Sequence, residues 1–294
     1  MNPQDGTLMF TLRLPPANRV PVVLTSPHSG RRYRQDFLAL SRLDAIAIRR
    51  SEDSFVEELF ASGPDVGMPL LAANFPRAYC DVNREAWELD PTMFEDELPD
   101  YVNTASPRVH AGLGTIARIV GTGEPIYAAK LRFADAKHRI ERCWNPYHAA
   151  LSALIDETRA MFGVCLVIDC HSMPTMPGRS ITRPDVVLGD GFGTSCAPAM
   201  TDFFQTSLIS LGMNVRRNDP YAGGYITRHY GCPRDGVHVV QMEVARALYM
   251  NERNFTRNAQ FSSTQRDLEA FLRAVAKASF LWADSGPSER RAAE

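Results

Sequence analysis

Short apolar runs alternate along this chain with longer amphipathic stretches. Residues 20–26 form a brief β-branched run that stops at Pro27, which predicts a buried strand feeding a loop. Residues 69–73, 164–169, 185–188 and 237–244 repeat that pattern, and VCLVID at 164–169 reads as the central strand. Helical spacing takes over between them. Phe55, Val56, Leu59 and Phe60 make a stripe within residues 53–61, with Ser51 or Asp53 as its cap. Residues 125–162 predict a long helical region broken or kinked at Pro146. Residues 195–211 predict another helix. Leu268, Phe271, Leu272 and Val275 place a last one over 264–281, with Thr264 and Asp267 forming a capping box.

Strands that alternate with helices through single long connections imply an α/β fold, with a mostly parallel sheet covered on both faces. No linker, repeat or low-complexity block divides the chain. Residues 1–282 therefore read as one domain with insertions, and the polar residues 283–294 as a flexible tail. With 45% hydrophobic residues in 294, the chain buries a sizeable core and the bulk of it is not disordered. Its 32 basic and 34 acidic residues leave a net charge of −2, which argues against a general nucleic-acid binder. No apolar run is long enough to span a membrane, and the first ten residues lack a signal-peptide pattern, so a cytoplasmic location is expected. Six cysteines without a CxxC fit reduced, mostly buried thiols.

In such sheets ligands bind beyond the carboxyl ends of the strands. Those ends carry unusual chemistry here: Pro27-His28-Ser29-Gly30, then Arg77 and Asp81-Val82-Asn83-Arg84, then Asp169-Cys170-His171-Ser172, and finally Glu243. Two imidazoles and a carboxylate with an open fourth position make a catalytic zinc site. His28 and His171 are the nitrogen candidates, and Asp53 or the adjacent Glu52 the oxygen candidate. Glu243 stands as the general base. Asp169, two residues before His171, shares its face of the strand and suits the role of imidazole partner. Each has a plainer reading: a loop histidine, a helix cap at Asp53, an ion pair between Glu243 and Arg246. Arg77 and Arg84 suit carboxylate recognition or oxyanion stabilisation, against surface salt bridges as the alternative. Asn83 beside Arg84 favours a ligand-binding pair.

Other signals are weaker. His138 and Glu141 form HxxE, but within a strongly charged helical stretch that reads as a solvated face. His229, Cys232 and His238 match no familiar metal spacing. The glycine patterns at 112–114 and 189–193 lack the context of a dinucleotide loop, and neither GxSxG nor HExxH occurs.

The blocks TSPHSGRRY, EDSFVEELF, NFPRAYCDVNRE, DCHSMP, NDPYAGGYITRHYG and HVVQMEVARALYMNE, taken in order over residues 20–255, resemble the N-formylglutamate amidohydrolase family. The resemblance implies a three-layer α/β fold like that of the zinc carboxypeptidases, a mixed, mostly parallel sheet flanked by helices, with one catalytic Zn2+ per chain. By position it implies His28, Asp53 and His171 as metal ligands, with Glu52 possible in place of Asp53. Glu243 becomes the general base and Arg77 the oxyanion-stabilising arginine. Asn83 and Arg84 become the carboxylate-binding pair. The PYAGGYITR segment becomes a substrate-side loop, with Tyr225 at the substrate and Arg228 reaching a second carboxylate. The carboxypeptidase HxxE is missing after His28, so the acidic ligand comes from further along. The implied reaction is hydrolysis of N-formyl-L-glutamate to formate and glutamate, as in histidine degradation. The alternative is a carboxypeptidase-like or aspartoacylase-like zinc hydrolase of other N-acyl amino acids or short peptides. Either way the expected partner is a small-molecule substrate, with no nucleic acid and no membrane; the oligomeric state is not readable.

Overall fold

A computed structural model of the chain describes residues 9–175 and 183–284. The tail read at 283–294 lies outside the described residues from 285 onward, while the last helix runs on to Asp284. The main sheet holds seven strands: β1 (Phe10–Arg13), β2 (Val22–Ser26), β3 (Leu70–Ala73), β4 (Cys165–Met173), β5 (Val186–Gly189), β6 (Val215–Arg217) and β7 (Val237–Ala245). Their order is β1-β3-β2-β4-β7-β5-β6. β4 pairs in parallel with β2 and β7, and β5 in parallel with β6, whereas β5 runs antiparallel to β7. The sheet is mixed and mostly parallel, as expected for α/β architecture.

Side chains alternate across a strand, and β2, β4 and β7 use that alternation to separate a core from a site. One set of positions, with Leu24, Ile168, Cys170, Val240, Met242 and Val244, joins a large apolar cluster. The helices Pro198–Ser210 and Phe261–Asp284 add Phe204, Leu208, Leu268, Phe271 and Leu272 to it. Each such side chain, fully buried, contributes about 1.5–3 kcal/mol. The intervening positions hold Thr25, Asp169, His171, Gln241 and Glu243, all buried.

The described residues gather into two compact units. One comprises residues 12–26, 55–71 and the described part of 151–284, and contains the apolar cluster just described. The other comprises residues 9–11, 27–54 and 72–150. Its interior is built on Phe37, Ile48, Ala78, Val120 and Ile126, with the Arg139 guanidinium 4.5 Å from the Tyr79 ring centre.

Several boundaries differ from the pattern-based expectation. Helix begins at Phe133 rather than 125, and a wide turn over Ile140–Trp144 precedes the helix Asn145–Phe162. Pro146 then follows directly on that wide turn within a continuous helical path, as expected for a helix broken or kinked at this proline. The helix expected over 53–61 shrinks to Val56–Leu59, entered through Phe55 at φ +67° without a side-chain cap. The last helix starts at Phe261, and the Thr264 hydroxyl donates to the Leu248 carbonyl, so no capping box forms there. Five cysteines are buried, Cys232 is half-buried, and all are free thiols. Among the described residues no helix is long and apolar enough to cross a membrane.

Candidate metal centre

The parallel register of β4 and β7 sets Asp169 opposite Gln241 and His171 opposite Glu243. Paired residues on neighbouring strands project to the same side. Two residues from each strand thus form a polar square on a sheet whose other side is apolar. Within β4, His171 Nε2 lies 3.0 Å from Asp169 Oδ2. Within β7, Gln241 Nε2 donates to Glu243 Oε1 at 2.8 Å. The i, i+2 spacing of a strand produces both contacts.

His28 is placed by a different construction. β2 ends at Ser26, and the chain turns through Pro27-His28-Ser29-Gly30. A Cβ on Gly30 would lie 2.1 Å from the Phe75 carbonyl oxygen, so only glycine lets the loop pass that close. The main-chain N–H of Asp53 donates to the His28 carbonyl at 3.0 Å. That bond draws Asp53 alongside, and its Oδ2 sits 3.5 Å from His28 Nδ1. The other ring nitrogen, Nε2, donates to Asp81 Oδ1 at 2.7 Å.

Asp81 is itself held on several sides. Its Oδ1 also accepts from the Asn83 main-chain N–H at 2.8 Å, and its Oδ2 from Arg77 Nε at 2.7 Å. Burial pushes its carboxyl upward. The charges of Arg77, His28 and Arg84, with the hydrogen bond from His28, outweigh that and hold it well below the usual carboxylate range. Asp81 thus remains an anion facing the ring of His28.

His28, Asp53 and His171 are all buried, and each offers one ligand atom such that the three atoms lie within 4.8 Å of one another. The donor set fits a divalent metal on its chemistry. Ligands at 2.0–2.1 Å from tetrahedral zinc stand about 3.3 Å apart, close to the 3.5 Å between His28 Nδ1 and Asp53 Oδ2. Each imidazole also has a carboxylate at one ring nitrogen, Asp81 at Nε2 of His28 and Asp169 at Nε2 of His171, the kind of contact that fixes the tautomer and orientation of a metal-bound histidine. Glu52 is engaged elsewhere: its oxygens accept from Arg49 at 2.9 and 3.0 Å, from Tyr33 at 3.0 Å and from Ser54 at 2.5 Å. Of the two acidic candidates, the cluster contains Asp53.

The remaining predicted residues are distributed unevenly. Arg77 sits on Asp81 with its side chain 24% exposed, so part of that side chain stays accessible. Arg84 is buried; its Nε donates to the Leu113 carbonyl and its Nη1 to the Asn83 carbonyl. Two of its donors, one from each edge of the guanidinium, are therefore used inside the protein, which the sequence does not reveal. Burial lowers its pKa to about 10, against the opposing pull of Asp81. Tyr225 and Arg228 lie in the helix Tyr225–Tyr230, with Tyr225 stacked on His229 at 4.7 Å and Arg228 exposed. Glu141 of the HxxE pair is taken by Lys137. Cys232 contacts Asp235, and His238 accepts the Ala197 N–H, so these two serve separate local bonds. Two functional candidates escaped assignment from sequence. Asp81 stands in the quoted DVNR block, and Gln241 two residues before Glu243, a spacing that marks a shared strand face.

The family model described as N-formylglutamate amidohydrolase matches residues 20–250. The N-formylglutamate deformylase of Pseudomonas putida is 29% identical over 264 residues, covering 87% of this chain and 92% of the relative. The crystal structure of N-formylglutamate amidohydrolase from Ralstonia eutropha JMP134 is 35% identical, with TM-score 0.87, covering 93% of this chain and 99% of that one. The gene product Atu2144 of Agrobacterium tumefaciens shares the fold, with TM-score 0.65 at 18% identity over 92% of this chain and 94% of its own. The chain belongs to the N-formylglutamate amidohydrolase family.

Proposed function

We propose that this chain is a zinc-dependent amidohydrolase that hydrolyses N-formyl-L-glutamate to formate and glutamate. The observation that carries the reading is the buried His28–Asp53–His171 cluster, in which each imidazole is backed by a carboxylate. The relatives' names supply the substrate. Two imidazoles with one carboxylate suit zinc among common divalent ions. Bound by these three residues, zinc would acidify a water toward a pKa of about 7 and polarise the formyl carbonyl.

The chain's own groups account for the rest of the reaction. Glu243, level with His171 on the next strand, accepts the proton of the attacking water. It returns that proton to the departing amine nitrogen as the amide C–N bond breaks. Arg77, anchored by Asp81 yet partly exposed, stabilises the negative charge on the former carbonyl oxygen. Asn83 and Arg84 take the α-carboxylate. Tyr225 and the exposed Arg228 take the side-chain carboxylate.

The test is a substrate panel of formyl-, acetyl- and peptidyl-glutamate with zinc-replete protein. Formate release from the formyl compound is expected to exceed turnover of the others by at least about a hundredfold, the scale of a well-placed steric discrimination. Equal rates on acetyl-glutamate, or no formate at all, would remove this substrate assignment.

A further inference from the structure

We propose that Gln241 is a positioning residue that ties the turn at Gly223 and Gly224 to the carboxylate of Glu243; this rests on the reading of Glu243 as the base. The Gly224 main-chain N–H donates to Gln241 Oε1 at 2.7 Å, and Gln241 Nε2 donates to Glu243 Oε1 at 2.8 Å. Gln241 is 5% exposed, so water does not readily replace either bond.

The direction of the Gln241 amide follows from donor and acceptor chemistry. A main-chain N–H can only donate, so the oxygen of the amide faces Gly224. The NH2 group then faces Glu243 and can only donate, so Glu243 must present an acceptor oxygen to it. A flipped amide would set donor against donor at one end and acceptor against acceptor at the other. Two buried hydrogen bonds therefore run one way, from the turn to the base.

The turn itself has little freedom. Gly223 holds φ +125°, and a Cβ there would lie 2.6 Å from Thr227 Cγ2. The neighbouring Ala222 carbonyl accepts from the Gly191 N–H at 2.8 Å. Gly224 is also the residue from which the helix bearing Tyr225 and Arg228 starts. A ligand that engages that helix pulls on the residue that orients Glu243. Substrate recognition and proton transfer are in this way mechanically joined through one side chain.

The experiment uses the full zinc-loaded chain with Gln241→Met, which removes both bonds, and Gln241→Glu, which keeps an acceptor for Gly224 but loses the donor toward Glu243. For Gln241→Met, kcat on N-formylglutamate should fall about 10- to 100-fold, part of what a well-placed base contributes, with KM within about threefold and zinc content unchanged. Amide exchange at Gly224 should quicken by about tenfold or more. For Gln241→Glu, kcat should fall comparably while Gly224 exchange stays slow. The proposal is overturned if Gly224 exchange is the same in wild type and Gln241→Met, or if an active wild type and both variants share kcat within twofold. Wild-type protein that releases no formate would instead remove the substrate assignment. Gly224 exchange then decides the proposal: fast only in Gln241→Met supports it, and uniform exchange overturns it.

Discussion

His171 and His28 each turn one ring nitrogen toward a buried carboxylate, but their supports are built differently. Asp169 lies two residues from His171 on the same strand, 3.0 Å away, and the pleat alone brings the pair together. Asp81 lies 53 residues from His28, 2.7 Å away, and is held in turn by Arg77 and the Asn83 N–H. One support is a local consequence of strand geometry. The other is one contact in a buried charge network that also includes Arg84, 3.9 Å from Asp81. The two histidines are thus supported by a carboxylate two residues away in one case and 53 residues away in the other.

The comparison breaks if the two histidines are not equivalent toward the metal. Replacing either His28 or His171 by Ala should lower formate release by about a thousandfold or more, the several kcal/mol that a Lewis-acid metal supplies. A variant of one that keeps most of the wild-type rate would show that this residue is not a ligand. The next effect separates the supports. Asp81→Asn should weaken zinc binding about 10- to 100-fold and also destabilise the fold by about 3–5 kcal/mol, because the buried Arg84 loses its countercharge. Asp169→Asn should weaken zinc binding to a similar degree with a smaller stability loss than Asp81→Asn, because no buried arginine loses its countercharge. Zinc titration and urea melts on both variants measure this. Equal stability losses would remove the distinction between local and networked support.

A smaller effect tests a histidine outside the site. His238 is pushed below the ordinary imidazole pKa by burial, and its Nδ1 accepts the Ala197 N–H at 3.2 Å. The folded state therefore resists its protonation, whereas the unfolded state does not. Stability from this source is complete above the unfolded pKa of about 6.5 and declines as pH falls below it. His238→Asn should flatten the fall of the urea midpoint between pH 7 and 5. An unchanged slope would show that His238 contributes nothing to it.

The same contrast explains what the sequence could disclose. Asp169, His171 and Glu243 are legible as candidates because they lie in or beside strong apolar runs, but β4 runs on to Met173 rather than ending at 169, and with both strands buried at nearly every position the runs alone do not set the register between them. Asp81 is not legible as the partner of His28, because no local period links residues so far apart. Glu52 and Asp53 are indistinguishable by spacing. They separate only once Arg49, Tyr33 and Ser54 are seen around Glu52. Arg84 looks like a substrate fork in sequence, and its bond to the Leu113 carbonyl, 29 residues away, depends on tertiary packing. Among the elements, β1 and β6 escape notice because three or four exposed or half-buried residues carry no strong period. The unpredicted start of the last helix at Phe261 has a similar origin, since polar Ser262 and Ser263 interrupt its stripe.

The central claim is that His28, Asp53 and His171 together hold one cation. Zinc-edge X-ray absorption on protein carrying one equivalent of zinc tests it directly. Two imidazole nitrogens and light oxygen scatterers are expected at about 2.0–2.1 Å, with one imidazole lost in His171→Ala. A sulfur scatterer at about 2.3 Å, or an unaltered imidazole count in that variant, would contradict it.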